Sequence, residues 1–278
     1  MRFHRAKVLR RVPHPGQGFT QGLLAEPGDP GDADYTVLES TGQYGMSALR
    51  RYRLGERDFL VQAPLWAELF GEGICRVGDS IWQLTWQERT ALRWDRATLE
   101  LRDVIRYNRE GWGICTTGDG PGAEVVTSDG TSELVRRDPE TLQPREVVRV
   151  RYGASRLRWL NDLAWSGGKV WANVACTNTV AGIDLTTGEV TDLVDASAAA
   201  DRFVRNPQFI MNGIAALPKA AGAQPKAAGA RPKAAGAQPE PEEFLLTGKG
   251  WRWIRQVRLA PARWVTPDRL LENAGRFR

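Results

Sequence analysis

Apolar residues along this chain fall into short runs of four to seven. Turn residues bound the runs, and in several of them apolar and polar positions alternate. The runs at 35–38, 81–86, 91–94, 124–127, 133–136, 147–150, 170–174 and 244–247 read as strands. No long helical pattern intervenes, which argues against a doubly wound α/β sheet.

One phrase recurs: a polar or aromatic residue, a small residue, then an apolar run. It appears as Gln21-Gly22-Leu23-Leu24, Glu72-Gly73-Ile74-Cys75, Trp112-Gly113-Ile114-Cys115, Asn161-Asp162-Leu163-Ala164 and Asn212-Gly213-Ile214-Ala215, at intervals of 51, 40, 49 and 51 residues. A second phrase, out of phase with the first, starts at Asp95, Asp138 and Asp184. It reads as a tight turn in which the carboxylate accepts from backbone amides. Five units of this length, each with about four strands, predict an all-β, five-bladed β-propeller forming a single domain over residues 1–278. A β-sandwich is the rival, but it leaves the recurrence unexplained.

Two segments stand outside the repeat. Residues 218–238 read PKAAGAQ-PKAAGAR-PKAAGAQ, with no apolar face and a proline every seventh position, so a solvated insertion is expected over 218–242. Residues 259–278 are rich in charge and read as a C-terminal tail or a short packed helix. The first eleven residues hold six basic ones, counting His4, and read as a solvated tail or the flank of an edge strand.

Composition narrows the chemistry. The 38 Lys and Arg against 33 Asp and Glu leave +5, a weak bias that demands neither nucleic acid nor a membrane as partner. No run approaches 18 apolar residues and no secretory h-region follows the basic start, so a cytoplasmic location is expected as written, with export open if the true start lies upstream. Two histidines exclude a histidine-rich zinc site, and three widely spaced cysteines do not make a disulfide framework. Phosphate-loop, dinucleotide, HExxH, EF-hand and GxSxG motifs are absent.

In a propeller, the innermost strand of each blade lines the channel. The first residue of each phrase, Gln21, Glu72, Trp112, Asn161 and Asn212, then stands at the channel mouth. Trp86, Asp129, Trp171 and Lys249 add to that mouth from neighbouring positions. Each has a plainer reading: a strand tryptophan is usually core, Asp129 before Gly130 is a turn cap, and Asn161 and Asn212 are turn caps. Glu72 differs, because it sits between two glycines in an apolar stretch, where an unused buried acid costs several kcal/mol.

Ten stretches together resemble the plant and bacterial type of glutaminyl-peptide cyclotransferase. They are Phe19-Thr-Gln21-Gly-Leu23, Glu39-Ser-Thr-Gly-Gln-Tyr-Gly45, Phe70-Gly-Glu72-Gly73, Gln83-Leu-Thr-Trp86, Gly111-Trp112-Gly113, Ser128-Asp129-Gly-Thr131, Leu160-Asn161-Asp-Leu163, Val170-Trp171-Ala-Asn173, Asn212-Gly-Ile-Ala215 and Thr247-Gly-Lys249. They follow the family's order over about residues 12–258. The resemblance implies a five-bladed propeller and a reaction without metal or other cofactor. In that reaction the α-amine of an N-terminal glutamine attacks its own side-chain amide, and ammonia leaves. It implies peptides or proteins with N-terminal glutamine as partners, with the chain expected to act as a monomer. It makes Glu72 the proton-transfer residue and places Phe19, Gln21, Trp86, Trp112, Asn161 and Lys249 around the substrate.

Physical chemistry fits these roles. Asn161 and Lys249 are candidates to stabilise the developing oxyanion, with Trp86 and Trp112 walling the substrate stem and Gln21 orienting it. Nearby indoles raise the pKa of Glu72 and Lys249 lowers it. The chain departs from the family at Ala175, where a tryptophan is usual, at Asp162, where glutamate is common, and at Gly250-Trp251-Arg252 after the lysine. Two other readings stand beside the first: a non-catalytic propeller binding a peptide N-terminus or a sugar, and glycoside or lyase chemistry through Glu72 and Asp129.

Overall fold

The computed structural model describes residues 1–28, 34–118, 120–201, 206, 208–218, 242–262 and 266–276. The proline-alanine repeat expected as an insertion lies, over 219–241, outside the described residues.

The chain begins with a long strand, β1 (Arg2–Pro13). Three four-stranded meanders follow. The first is β2 (Thr20–Pro27), β3 (Tyr35–Thr41), β4 (Ala48–Arg53) and β5 (Val61–Pro64). The second is β6 (Gly71–Val77), β7 (Ser80–Thr85), β8 (Thr90–Asp95) and β9 (Leu101–Arg106). The third is β10 (Ile114–Thr116), β11 (Val125–Thr127), β12 (Glu133–Arg137) and β13 (Pro144–Arg149). A small hairpin, β14 (Arg151–Tyr152) and β15 (Ser155–Arg156), leads to β16 (Leu160–Ser166), β17 (Lys169–Val174), β18 (Thr179–Ile183) and β19 (Val190–Asp195). The strands end with β20 (Met211–Ala216), β21 (Glu243–Gly248) and β22 (Trp253–Pro261), and a short helix α1 (Pro267–Leu271) comes last.

The all-β expectation agrees with these elements, but the five-bladed propeller is corrected by the strand pairing. The described strands do not divide into five four-stranded sheets. One sheet has eight strands in the order β16-β17-β18-β19-β1-β22-β21-β20, beside the three four-stranded sheets. The large sheet is nearly closed, since its end strands β16 and β20 lie against each other without forming a ladder.

The cause is β1, which pairs antiparallel with β22 on one side and parallel with β19 on the other. The basic start is therefore an inner strand of the large sheet, neither a solvated tail nor the flank of an edge strand. Asp192 on β19 holds this seam. Its carboxylate accepts from Arg2 at 2.8 Å and from His4 at 2.8 Å, and it also pairs with Lys169. Burial alone would raise the Asp192 pKa, but these donors pull it far below the carboxylate range. A repeat marks where strands start; it does not reveal that the first strand joins two sets.

The repeated phrases do open the strands that meet at the centre. Strands β2, β6, β10, β16 and β20 each lie against the next, and β20 returns to β2. The small residue in the phrase has a steric reason. A Cβ on Gly22 would lie 2.7 Å from the Ile74 nitrogen, and one on Gly73 2.7 Å from the Trp112 carbonyl oxygen. Where the fourth phrase has Asp162, the side chain is buried and accepts from the Ile214 amide at 2.8 Å, tying β16 to β20. The apolar side chains between neighbouring strand sets form clusters such as Leu38, Leu49, Ile74, Ile81 and Leu92 between the first two meanders. At the chain's end, β22 runs on to Pro261, and Leu270, Leu271 and Ala274 pack against the cluster between β10–β13 and β16–β19.

Candidate active site

At one end of the central strands lies a cavity of about 490 Å³. Seven residues singled out from the sequence meet there: Phe19, Gln21, Glu72, Trp86, Trp112, Asn161 and Lys249. Phe70, Gln208 and Ile210 complete the lining. Rings form a continuous apolar wall. Phe19 packs edge-on to Phe70 at 6.1 Å between centroids and to Phe209 at 6.0 Å, and Phe70 tilts against Trp86 at 5.5 Å.

Among the described residues of this lining Glu72 is the one carboxylate, and it is buried. Its Oε1 accepts from Gln21 Nε2 at 2.8 Å. The Gln21 amide is oriented in turn, because its Oε1 accepts from Asn212 Nδ2 at 2.7 Å. Burial raises the Glu72 pKa well above the ordinary carboxylate value. Lys249 opposes that rise, and Asp162, Glu88 and Glu110 add to it. Burial therefore prevails over the lysine. Lys249 shows the counterpart: burial lowers its pKa and Glu72 partly restores it. Its Nζ sits 4.8 Å from the Phe19 ring centroid, a cation–π contact.

Asn161 presents a buried Oδ1 that has no hydrogen-bond partner among the described residues. Its backbone carbonyl accepts from Ser128 Oγ at 2.8 Å, and the same hydroxyl accepts from the Gly113 amide at 2.8 Å, which ties β10 to β16 beneath the cavity. An unsatisfied polar atom on an apolar-walled cavity costs free energy until a ligand or water meets it.

Lys249 is set by a buried network reaching back to the N-terminal strand. The Lys249 amide donates to the Ile210 carbonyl at 3.0 Å, and the Gly250 amide to the Gly18 carbonyl at 2.8 Å. Two residues on, the Trp251 carbonyl accepts from His14 Nδ1 at 2.8 Å, while His14 Nε2 donates to Glu39 Oε1 at 2.9 Å. Both ring nitrogens face acceptors, an arrangement that favours the imidazolium. Burial opposes that charge, but Glu39 and the Trp251 carbonyl outweigh it and hold the His14 pKa above its usual value. Burial likewise opposes the Glu39 charge, and His14, Thr20 and Arg50 outweigh it to hold the Glu39 pKa down.

Three residues expected at the mouth sit elsewhere. Trp171 is buried among Ala164, Val180 and Phe244, with its Nε1 donating to the Ser166 carbonyl at 3.1 Å, so it packs a core cluster. Asn212 stands behind Gln21 rather than on the cavity. Asp129 accepts from Arg109 at 2.8 Å and from the Thr131 amide at 3.1 Å, which makes it a turn cap and removes the second carboxylate from the cavity. Phe70 was within reach of the sequence, since it opens the Phe70-Gly71-Glu72-Gly73 stretch. Gln208 and Ile210 carry no such signal. Among the described residues, no group of three or more His, Cys, Asp or Glu is placed to hold a metal ion.

Comparison with known proteins points to one family. The family described as glutamine cyclotransferase matches residues 1–223. Glutaminyl-peptide cyclotransferase of Arabidopsis thaliana is 28% identical over 265 residues, spanning 94% of this chain and 73% of the plant protein. The crystal structure of Myxococcus xanthus glutaminyl cyclase superposes with a TM-score of 0.77 at 28% identity, covering 94% of this chain and 99% of that one.

Proposed function

The chain belongs to the glutamine cyclotransferase family, an enzyme of the glutaminyl-peptide cyclotransferase type, and we propose that its cavity closes the N-terminal glutamine of peptides or proteins into pyroglutamate. The observation that carries this reading is the cavity carboxylate of Glu72, oriented by Gln21 and buried with Lys249 and Asn161.

The α-amine nitrogen attacks the side-chain amide carbon, and a C–N bond forms. With Oε1 engaged by Gln21, Glu72 accepts the amine proton on its other oxygen. The carbonyl oxygen gains negative charge, which Lys249 and the Asn161 side chain stabilise. Collapse breaks the old C–N bond, and Glu72 returns the proton to the departing nitrogen, so ammonia leaves and the carboxylate is restored. The aromatic wall of Phe19, Phe70, Trp86 and Trp112 holds the substrate's methylenes folded toward ring closure and sheds water. A raised Glu72 pKa suits this exchange, because it brings the carboxyl closer to the substrate amine, whose pKa is near 8.

The test is direct. The purified protein is incubated with a peptide bearing N-terminal glutamine, with and without a chelator, and ammonia and blocked N-terminus are measured. Stoichiometric release of both, unchanged by the chelator, is expected. Binding without release would leave the protein a peptide-binding module.

A further inference from the structure

Trp159 does not line the cavity, yet it stands directly behind a residue that does. Its ring lies 6.3 Å from that of Trp112 at an interplanar angle of 38°. Its backbone is left-handed, with φ of 69°, a conformation that costs a bulky residue about 1–3 kcal/mol and persists only where its surroundings impose it. Two hydrogen bonds impose it here. The Trp159 amide donates to the Gly130 carbonyl at 2.8 Å, and its carbonyl accepts from the Ala175 amide at 2.9 Å.

The outer face of the indole is covered by the chain's last turn. Gly275 sits so close that any Cβ there would overlap the Trp159 ring, and its φ of +70° is itself a glycine conformation. The Gly275 amide donates to the Ala175 carbonyl at 3.0 Å, and Thr179 Oγ1 donates to the Leu270 carbonyl at 2.8 Å, which pins the turn to β17–β18. On the other side, the Trp112 ring rests on Gly130, where an added Cβ would come within 2.7 Å of it. The order is therefore Gly275, Trp159, Trp112, cavity.

We propose that Trp159, clamped by the C-terminal turn at Gly275, is a positioning residue that fixes the Trp112 wall and so sets how tightly the substrate's glutamine side chain is held. The last turn thereby becomes part of the specificity apparatus, although it shares no residue with the cavity. The kinetic part of this inference rests on the cyclotransferase reading; the structural part does not. Loss of the clamp weakens ground-state and transition-state binding alike, so KM rises while kcat holds.

The experiment uses the full chain labelled with 5-fluorotryptophan, with the Trp112 resonance assigned by Trp112→Phe. Gly275→Ala, Trp159→Leu and Trp159→Phe are compared with the parent. Gly275→Ala and Trp159→Leu are expected to shift or broaden the Trp112 resonance and to raise KM for a Gln-peptide by about three- to tenfold with kcat within about twofold. Trp159→Phe, which keeps an aromatic neighbour, should stay close to the parent. Should Gly275→Ala not fold, Trp159→Leu against Trp159→Phe carries the same comparison. An unmoved Trp112 resonance in folded Gly275→Ala and Trp159→Leu would overturn the clamp. A fall in kcat at constant KM would overturn its assignment to binding. Absence of turnover by the parent would instead count against the cyclotransferase reading, with the resonance shift still deciding the clamp.

Discussion

Gln21 donates from Nε2 to Glu72 Oε1 across 2.8 Å, joining the first residues of two repeated phrases 51 positions apart. The bond favours the ionised carboxylate that burial disfavours. Gln21→Leu removes the donor, so the Glu72 pKa should rise further and the acid limb of the kcat–pH profile should move to higher pH. A hydrogen bond to a charged group contributes about 1.5–3 kcal/mol, so kcat below the limb should fall by roughly ten- to a hundredfold. Asn212→Ala frees the Gln21 amide to turn and should give a smaller shift in the same direction.

Lys249 acts on the same carboxyl with the same sign. It lowers the Glu72 pKa, so Lys249→Met should also move the acid limb upward. It should in addition lower kcat by about a hundredfold or more through loss of oxyanion stabilisation. The alkaline limb supplies a second check. Burial lowers the lysine's own pKa, so in the parent activity should decline with rising pH earlier than an ordinary lysine would dictate, and Lys249→Met should abolish that limb. The pH–rate profiles of parent and variant decide both.

His14 and Glu39 tie stability to pH. The folded pKa of His14 is raised, so its contribution is complete below the unfolded value of about 6.5 and disappears as pH rises through the folded value. The folded pKa of Glu39 is lowered, so its contribution is present above the unfolded value and disappears as pH falls through the folded one. Urea unfolding across pH should show the parent losing stability at both ends. His14→Ala takes the imidazole from the buried Glu39 charge, leaving Thr20 and Arg50 to offset it, and should cost up to about 3–5 kcal/mol near neutral pH.

The central glycines serve packing. Gly113→Ala drives a methyl into the Asn161 carbonyl of the adjoining strand, backbone against backbone. It should destabilise by about 1–3 kcal/mol or more, measured as a lowered urea midpoint. Gly45→Ala meets no atom within 4 Å and carries only the penalty of its φ of +73°, so it should cost less.

Much of the site was legible because the same steric demand recurs. Where most inner strands meet, a glycine follows the first residue of the phrase, with Asp162 in that place on β16, and the pattern marks Gln21, Glu72, Trp112 and Asn161. Asn212 obeys it too, but its side chain turns inward to Gln21, a choice made by a partner 191 residues away. Trp171 illustrates the converse. Its alternating strand pattern is the same whether the indole points toward the cavity or the core, and only the register of β17 against β16 and β18 places it with Ala164 and Gly182. The joining of two strand sets through β1 was hidden for a similar reason. Arg2, His4 and Lys169 converge on Asp192 at that seam, charges that look like ordinary surface until β1 is set beside β19.

In the proposed reaction the Glu72 carboxyl carries the proton between the attacking amine and departing ammonia. The most direct test of that role is the ammonia-release rate of Glu72→Gln against the parent on one Gln-peptide, with peptide binding followed in parallel. The expected kcat is at least about a hundredfold lower with binding kept within about tenfold, the size expected for loss of general acid–base catalysis. A variant that turns over at the parental rate would contradict it.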